Sequence, residues 1–217
     1  MKVTYGAIVQ SASGRFGGTV HTNWKGVQVV RRFAKPSDPN TTFQQHTRFA
    51  FLNLTRSFLL MTTNVRAAWD SFVVGKPLIN RNAYLGKNVA AMGAGSTTSV
   101  LEATPGDSST LAPSAAVPTG AAGQISFVVT VPVAPTGWAI TAVVTACVPD
   151  VNLNAVAQVA SELQWHEATD ATDPYTGATI TGLAADTYAT FAFIKWLAPD
   201  GSDRYSAAIL GGSAVVS

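Results

Sequence analysis

The sequence predicts an α+β protein with an N-terminal β-hairpin arm and short helices, a linker, and a C-terminal antiparallel β-sandwich. Apolar residues recur at helical spacing between residues 41 and 90. Short β-prone runs separated by turn residues follow residue 124, a pattern typical of a sandwich. A stretch rich in Ala, Gly, Ser, Thr and Pro lies between them and predicts a linker. The expected domains are therefore 1–90, 91–123 and 124–217.

The first structured segment is predicted to be a β-hairpin. Thr19–Trp24 and residues 27–33 are β-prone, and Lys25 and Gly26 between them suit a tight turn. Alternation along the first strand places Trp24 and every second residue before it on one face. Three glycines precede the hairpin and predict a conformationally permissive arm.

Three helices are predicted between the hairpin and residue 90. The first follows a cap at Thr41 or Thr42, the second a cap at 62–64, and the third spans residues 81–89. Apolar residues at three- and four-residue spacing mark the side of each helix that we expect to face inward. These positions are Phe51, Leu54, Phe58 and Met61 in the first helix, Val65, Trp69 and Phe72 in the second, and Tyr84 and Leu85 in the third.

Six strands are predicted after the linker, separated by turns rich in Pro, Gly, Asp and Asn. They span residues 124–133, 138–148, 155–165, 177–183, 187–198 and 203–210. The fifth alternates clearly, with Tyr188 and Trp196 on one face and Phe191 and Phe193 on the other.

The composition is poor in charge and unevenly divided along the chain. Of the 217 residues, 12% are charged, against about 25% in a typical soluble domain. Residues 1–90 hold 12 Lys and Arg residues and two acids, a net charge of +10, whereas residues 91–217 hold two basic residues and 10 acids, a net charge of −8. This asymmetry predicts different partners for the two ends, or the fusion of two unrelated modules.

Several classes of protein are disfavoured by what the sequence lacks. Cys147 is the single cysteine, so an intramolecular disulfide and a cysteine-based zinc site are excluded. The N-terminal residues lack the apolar core of a signal peptide, and no run approaches the roughly 18 apolar residues of a membrane helix. We expect no membrane contact, synthesis in a cytoplasm, and a chain that stays soluble or joins an assembly.

The end of the chain resembles a fibronectin type III or related immunoglobulin-like domain. Gly182, Leu183, Thr187 and Tyr188 match the pattern that joins two strands in that family. The resemblance covers about residues 120–217 and implies that the C-terminal all-β sandwich is immunoglobulin-like. Such domains are mostly adhesion or spacer modules, so the fold itself does not supply a function.

Residues 14–90 resemble a family of tailed-bacteriophage and prophage virion structural proteins. The matching residues are Gly17, Gly18, Pro39, Gln45, Arg48, Ala68, Trp69, Asn82, Tyr84 and Asn88. The resemblance implies a capsid decoration or minor capsid protein, or else a tail protein. Its partners would be the major capsid protein or other virion proteins, in many copies or as a homo-oligomer. Its location would be the virion, assembled in the cytoplasm of the bacterial host.

Seven basic and aromatic residues of the arm and hairpin are the candidate docking residues. They are Arg15, Phe16, Trp24, Lys25, Arg31, Arg32 and Phe33. Aromatic and arginine side chains dominate interface energies, so we expect these residues to dock to a protein. Because four of the seven are basic, the protein surface that they contact should be acidic. These residues could also follow nucleic-acid phosphates. Nucleic acid is the less favoured partner, because alternation places Arg31 and Arg32 on opposite faces and no nucleic-acid-binding fold is evident.

No catalytic or metal-binding motif stands out, so we predict neither an enzyme nor a cofactor. The glycine-rich arm lacks the ending of a phosphate loop, and no G-x-S-x-G, H-E-x-x-H or paired-carboxylate motif occurs. His166, Glu167, Asp170 and Asp173 could be drawn as a metal cluster, yet their spacing matches no known ligand pattern, and we expect a solvated turn. A surface-exposed adhesion module that binds glycan or protein is the alternative function.

Overall fold

The structure, a computed structural model, describes residues 12–35, 40–93, 95–107, 109–172 and 177–217. The chain divides into two compact units, Met1–Thr41 and Thr42–Ser217, here called the N-terminal unit and the C-terminal unit. Pro39, which carries part of the resemblance to virion proteins, and Asp173, a member of the metal alternative, lie outside the described residues.

The N-terminal unit contains a three-stranded antiparallel sheet. Its strands are β1 (Gly14–Phe16), β2 (Thr19–Trp24) and β3 (Val27–Arg32), in the order β1-β2-β3. The predicted hairpin is confirmed: Lys25 and Gly26 both have positive φ, 50° and 78°. Two such residues form the type I′ turn that matches the twist of paired strands. The glycine-rich segment before the hairpin folds back as β1, a strand that the sequence did not predict.

Three helices open the C-terminal unit: α1 (Thr42–Leu59), α2 (Thr63–Val73) and α3 (Asn80–Ala91). They agree with the prediction, and their expected inward residues are buried or half-buried except Phe51, which is 54% exposed. The expectation for Phe51 is wrong because the buried stripe of α1 is centred between Ala50 and Leu54. Phe51 lies at the margin of this stripe, about 100° around the helix from Ala50. In the described part of the chain, no helix has the length and apolar character needed to cross a membrane.

The described residues of the C-terminal unit also form two antiparallel sheets. The first contains β4 (Ala115–Ala121), β5 (Gln124–Thr130) and β8 (Ile180–Thr181), in the order β4-β5-β8. The second contains β6 (Ala139–Pro149), β7 (His166–Asp170), β9 (Thr187–Leu197), β10 (Asp203–Tyr205) and β11 (Ile209–Val215). Its order is β10-β9-β6-β7, and β11 also pairs with β9. Helices and antiparallel sheets together make an α+β protein, as predicted.

One predicted strand is wrong. Residues 155–165 contain a short 3-10 helix, Ala160–Leu163, and the buried Trp165, and strand β7 begins immediately after them, where a loop was expected. The segment before the 3-10 helix is tied to α1 instead of to a sheet. There the buried Asn53 donates hydrogen bonds to two carbonyl oxygens at 2.9 and 3.3 Å and accepts one from the Gln158 N–H at 2.9 Å.

Two other regions of the sheets differ from the prediction. The expected strand 203–210 is two strands, because the Ser206 hydroxyl accepts a hydrogen bond from the Ile194 N–H at 2.9 Å and interrupts the ladder. Strand β4 lies inside the expected linker and pairs with β5 along its whole length. A side chain at Gly120 of β4 would collide with the carbonyl oxygen of Val215 in β11, so β4 is fixed against both sheets.

Both faces of the five-stranded sheet are buried. One face contributes Ile194 and Trp196 to a cluster with Ile125 of β5 and Ile180 of β8. The opposite face contributes a separate set of β9 residues, Ala189, Phe191 and Phe193, to a cluster with the three helices. The predicted alternation of β9 is therefore confirmed, and the sheet lies between a helical layer and a second sheet.

The unit boundary between residues 41 and 42 differs from the expected boundary at residue 90. The helices share a core with the five-stranded sheet, and the segment after α3 is also fixed to them. The indole N–H of Trp69 donates to the carbonyl oxygen of Ala103 at 2.8 Å, and Leu101 and Ala103 are buried. Helices, residues 95–107 and strands therefore form one folded unit.

Candidate docking surface

Strand register distributes the candidate docking residues over two faces of the N-terminal sheet. Arg15 lies opposite Val20, which lies opposite Arg31, so these three share a face with Trp24 and Thr22. We call this surface the Trp24 face. Phe16 and Arg32 both lie opposite Thr19 and therefore share the other face, the Phe16 face. The structure thus separates Arg31 from Arg32, as alternation predicts.

Two cations of the sheet lie over aromatic rings. The guanidinium of Arg15 lies 3.8 Å from the centroid of the Phe33 ring, and its Nε–H donates to the carbonyl oxygen of Gly17 at 3.0 Å. The ammonium of Lys25 lies 5.0 Å from the Trp24 ring. Cation–π contacts at exposed sites are worth about 0.5–1 kcal/mol each. They orient the rings but leave much of the aromatic surface open to solvent.

The described residues of the N-terminal sheet form no core of their own. Among the described residues 12–35, every side chain is exposed or intermediate, and Phe16 and Trp24 are 81% and 66% exposed. The same segment carries five basic residues and no carboxylate. A small sheet normally requires a packed hydrophobic face for stability. This sheet therefore presents apolar and cationic groups that a partner surface can cover.

The residues of the metal alternative are separated by their strand. His166 and Glu167 are neighbours on β7, so their side chains point to opposite faces. Glu167 accepts hydrogen bonds from the backbone N–H and the side-chain amide of Asn64, at 3.2 and 3.1 Å, and so caps the start of α2. Burial lowers the pKa of His166. Within the described ranges, no three ligand side chains come together as a metal site.

The single cysteine is a core residue. Cys147 is buried in the cluster between the two sheets, and burial raises the pKa of its thiol to about 12. The thiolate is the reactive form, so this side chain acts as a small apolar group at neutral pH.

A groove between α1 and α3 is a second candidate surface that the sequence did not predict. Phe51 lines it together with Leu85 and Val89 of α3, and Phe43 lies at its far end. The sequence could have indicated this groove, because α1 has more apolar residues than one buried side of a helix can accommodate.

No protein-family model, curated protein or solved structure matches the chain.

Proposed function

We propose that the chain is a non-enzymatic structural component of a tailed-phage virion, a capsid decoration or minor capsid protein held to the particle by its N-terminal unit. One observation carries this proposal: the N-terminal sheet is ordered in strands but buries none of its described side chains. A partner that covers the Trp24 face would supply the missing core on that side of the sheet. The resemblance of residues 14–90 to virion proteins suggests the kind of partner.

The arrangement of the remaining strands supports an immunoglobulin-like module as the second part of the proposal. Strands β4, β5 and β8 form one sheet, and β6, β7, β9, β10 and β11 form the other. If β10 and β11 are counted as one interrupted strand, the described part of the module has seven strands, of which the first, second and fifth form the smaller sheet. At the start of the sixth strand, β9, the Tyr188 hydroxyl donates to the carbonyl oxygen of Ala184 at 3.2 Å. A tyrosine bonded in this way to the preceding corner is a hallmark of immunoglobulin-like folds. Such a module would serve as the solvent-facing part of the decoration protein.

The test is incorporation into particles that lack the native protein. Trp24→Ala removes the largest exposed apolar side chain of the sheet and should weaken incorporation about 30-fold, because interface aromatics often contribute about 2 kcal/mol or more. Lys25→Ala is the matched control, since an exposed ion pair is worth about 1 kcal/mol at most. Co-sedimentation with purified heads and, separately, with tails measures both variants and identifies the structure that is bound.

Two outcomes would contradict the proposal. Failure of the wild-type chain to bind heads or tails would overturn the virion assignment. The second outcome is that Lys25→Ala or high salt releases the protein from particles while Trp24→Ala binds normally. The N-terminal unit would then be held by electrostatic attraction and not by an aromatic anchor. Nucleic acid would then become the better partner.

A further inference from the structure

The two faces of the N-terminal sheet differ in chemistry. Strand register, continued by the hydrogen bond from the Phe33 N–H to the Gly18 carbonyl oxygen, places most of the apolar side chains on the Trp24 face: Val20, Trp24, Val27, Val29 and Phe33. The Phe16 face has Phe16 and Val30 among Thr19, His21, Asn23, Gln28 and Arg32. An apolar sheet face is stabilised by packing against another element of structure. The Trp24 face is therefore the side that we expect a partner to cover.

Two arginines belong to the Trp24 face itself. Arg15 and Arg31 lie on either side of Val20 in one row across the three strands. Neighbouring strands are about 4.8 Å apart, so the Cα atoms of the two arginines are about 10 Å apart. Both side chains are exposed, and among the described residues no carboxylate pairs with either of them. The face therefore presents positive charge on both sides of an apolar centre.

The guanidinium of Arg15 is fixed in place with part of it unused. It lies over the Phe33 ring, and its Nε–H donates to the Gly17 carbonyl oxygen. Its two Nη groups make no hydrogen bond within the described part of the chain. A carboxylate of a partner could accept hydrogen bonds from both, the geometry in which arginine and carboxylate pair most strongly.

The shape of the face suits a single helix. Strand β1 pairs with β2 only as far as His21, so the face is three strands wide at the arginine row and two strands wide at Trp24. A helix with its side chains is about 10–12 Å across, which matches this width. Along β2 the distance from Val20 to Trp24 is about 13 Å, or roughly two and a half helical turns. One short helix would cover the face from end to end.

Charge and apolar surface together disfavour two other occupants. The same face of a second copy would bring Arg15 and Arg31 close to two further arginines. A nucleic acid would place phosphates over Val20 and Val29, where a charge loses water without gaining a partner. An acidic segment with an apolar stripe matches both kinds of group on the face.

We infer that the Trp24 face binds an acidic amphipathic helix. Under the proposed function, on which this inference rests, that helix belongs to another virion protein. Apolar side chains of the helix would cover Trp24 and the valines of the face. Carboxylates on both sides of its apolar stripe would meet Arg15 and Arg31. The Phe16 face takes no part in this contact.

The probe is a labelled synthetic peptide of about 14 residues, four helical turns, with leucine at helical spacing and glutamate and alanine elsewhere. A matched peptide has lysine in place of each glutamate. Fluorescence anisotropy with the full chain gives the Kd. The acidic peptide should bind, and the basic peptide should bind at least about tenfold more weakly.

Arg31→Gln and Arg32→Gln are matched variants, because these neighbours on β3 are both exposed and lie on opposite faces. At about 0.15 M salt the Debye length is about 8 Å, so a charge on the far face is largely screened from the peptide. We expect Arg31→Gln to raise the Kd of the acidic peptide about threefold, the effect of losing one exposed charge pair, and Arg32→Gln to leave it unchanged. Trp24→Ala should raise the Kd about tenfold or more, and Phe16→Ala should not.

Five outcomes would overturn the inference. They are the absence of acidic-peptide binding, equal binding of the basic peptide, equal loss of affinity for Arg31→Gln and Arg32→Gln, displacement of the acidic peptide by a single-stranded oligonucleotide, and self-association in sedimentation that Trp24→Ala abolishes. The last two would assign the face to nucleic acid and to a second copy. The peptide measurement needs no particle. Peptide binding by a chain that does not enter particles would therefore overturn the proposed function alone, and incorporation into particles without peptide binding would overturn this inference alone.

Discussion

Ser57→Ala tests whether the helical layer and the sheet fold as one unit. The Ser57 oxygen is fully buried and accepts hydrogen bonds from the Trp165 indole N–H at 2.9 Å and from the Tyr84 hydroxyl at 3.3 Å. Alanine at this position removes the acceptor and leaves both donors without it. Each buried donor without a partner costs about 1–3 kcal/mol. Because the Tyr84 hydroxyl can rotate and the indole cannot, we expect a total loss of about 2–4 kcal/mol.

Urea unfolding of the full chain, followed by tryptophan fluorescence and circular dichroism, measures this loss. With a slope of about 1–3 kcal/mol per molar urea, the midpoint should fall by about 1 M or more. Thr55→Ala in the same helix is the control, because the Thr55 hydroxyl donates to the Phe51 carbonyl of its own helix and makes no hydrogen bond to another element within the described residues. It should change stability by less than about 0.5 kcal/mol.

A double-mutant cycle isolates the contact between the layers. Trp165→Phe removes the indole donor, so Ser57→Ala should cost less in that background by about 1 kcal/mol or more. A loss below about 0.5 kcal/mol for Ser57→Ala, or costs that simply add in the double mutant, would refute the shared core. So would two separate unfolding transitions for helices and sheets.

Three further predictions concern the fragment boundaries, the Tyr188 corner and His166. A fragment of residues 42–217 should fold cooperatively, whereas a fragment of 121–217 should not, since it lacks β4 and uncovers Phe191 and Phe193; circular dichroism and urea unfolding distinguish the two. Tyr188→Phe should lower the free energy of unfolding by about 1 kcal/mol, the contribution of one hydrogen bond. An unchanged urea midpoint would show that the hydrogen bond of Tyr188 to the preceding corner does not stabilise the fold. Burial lowers the pKa of His166 in the folded state, below the value near 6.5 expected when unfolded. The unfolded state therefore binds more protons in this window, so stability should be full above about pH 6.5 and decrease as the pH falls. His166→Gln should flatten that decrease, and an identical pH profile for the variant would contradict the assignment.

Local signals made the β2–β3 hairpin and the helices predictable. The turn at Lys25 and Gly26 depends on two residues that sit directly between β-prone runs, and it forms as expected. The helical spacing of Leu54, Phe58 and Met61 identifies their buried side without knowledge of what covers them. Such features depend on neighbours within a few residues, which a sequence displays directly.

Features that depend on distant contacts were not predictable from the sequence. Strand β4 has the composition of a linker, and it is a strand because β5 pairs with it. Trp165 resembles the end of a strand in sequence, yet its indole is fixed by Ser57, 108 positions earlier. For the candidate site, the sequence identified the exposed aromatic Trp24 but assigned Phe51 to the core. The groove beside Phe51 exists because α3 packs at the margin of the buried stripe of α1.

The change from basic to acidic residues along the chain falls inside one folded unit, between its helical layer and its sheets, and not at a junction between fused modules. Residues 42–90 hold six basic residues and one acid, and they share a core with strands that belong to the acidic part. Several acids of that part are already engaged: Arg204 pairs with Asp107 and Asp200, and Lys195 with Asp203. The basic groups of the N-terminal sheet have no carboxylate within residues 12–35. Attraction for an acidic partner is therefore concentrated on the N-terminal sheet.

At the N-terminal sheet, we expect charge to determine which partner binds and to contribute little to the affinity. The Debye length falls from about 10 Å at 0.1 M salt to about 3 Å at 1 M, and each exposed pair contributes only about 0.2–1 kcal/mol. An aromatic ring that becomes fully covered contributes about 2 kcal/mol or more and is insensitive to such screening. The N-terminal sheet combines the two kinds of group: the exposed Trp24 ring lies 5.0 Å from the Lys25 ammonium, and the exposed Phe16 directly follows Arg15. Recognition by charge and retention by aromatic burial are therefore separable functions of neighbouring side chains.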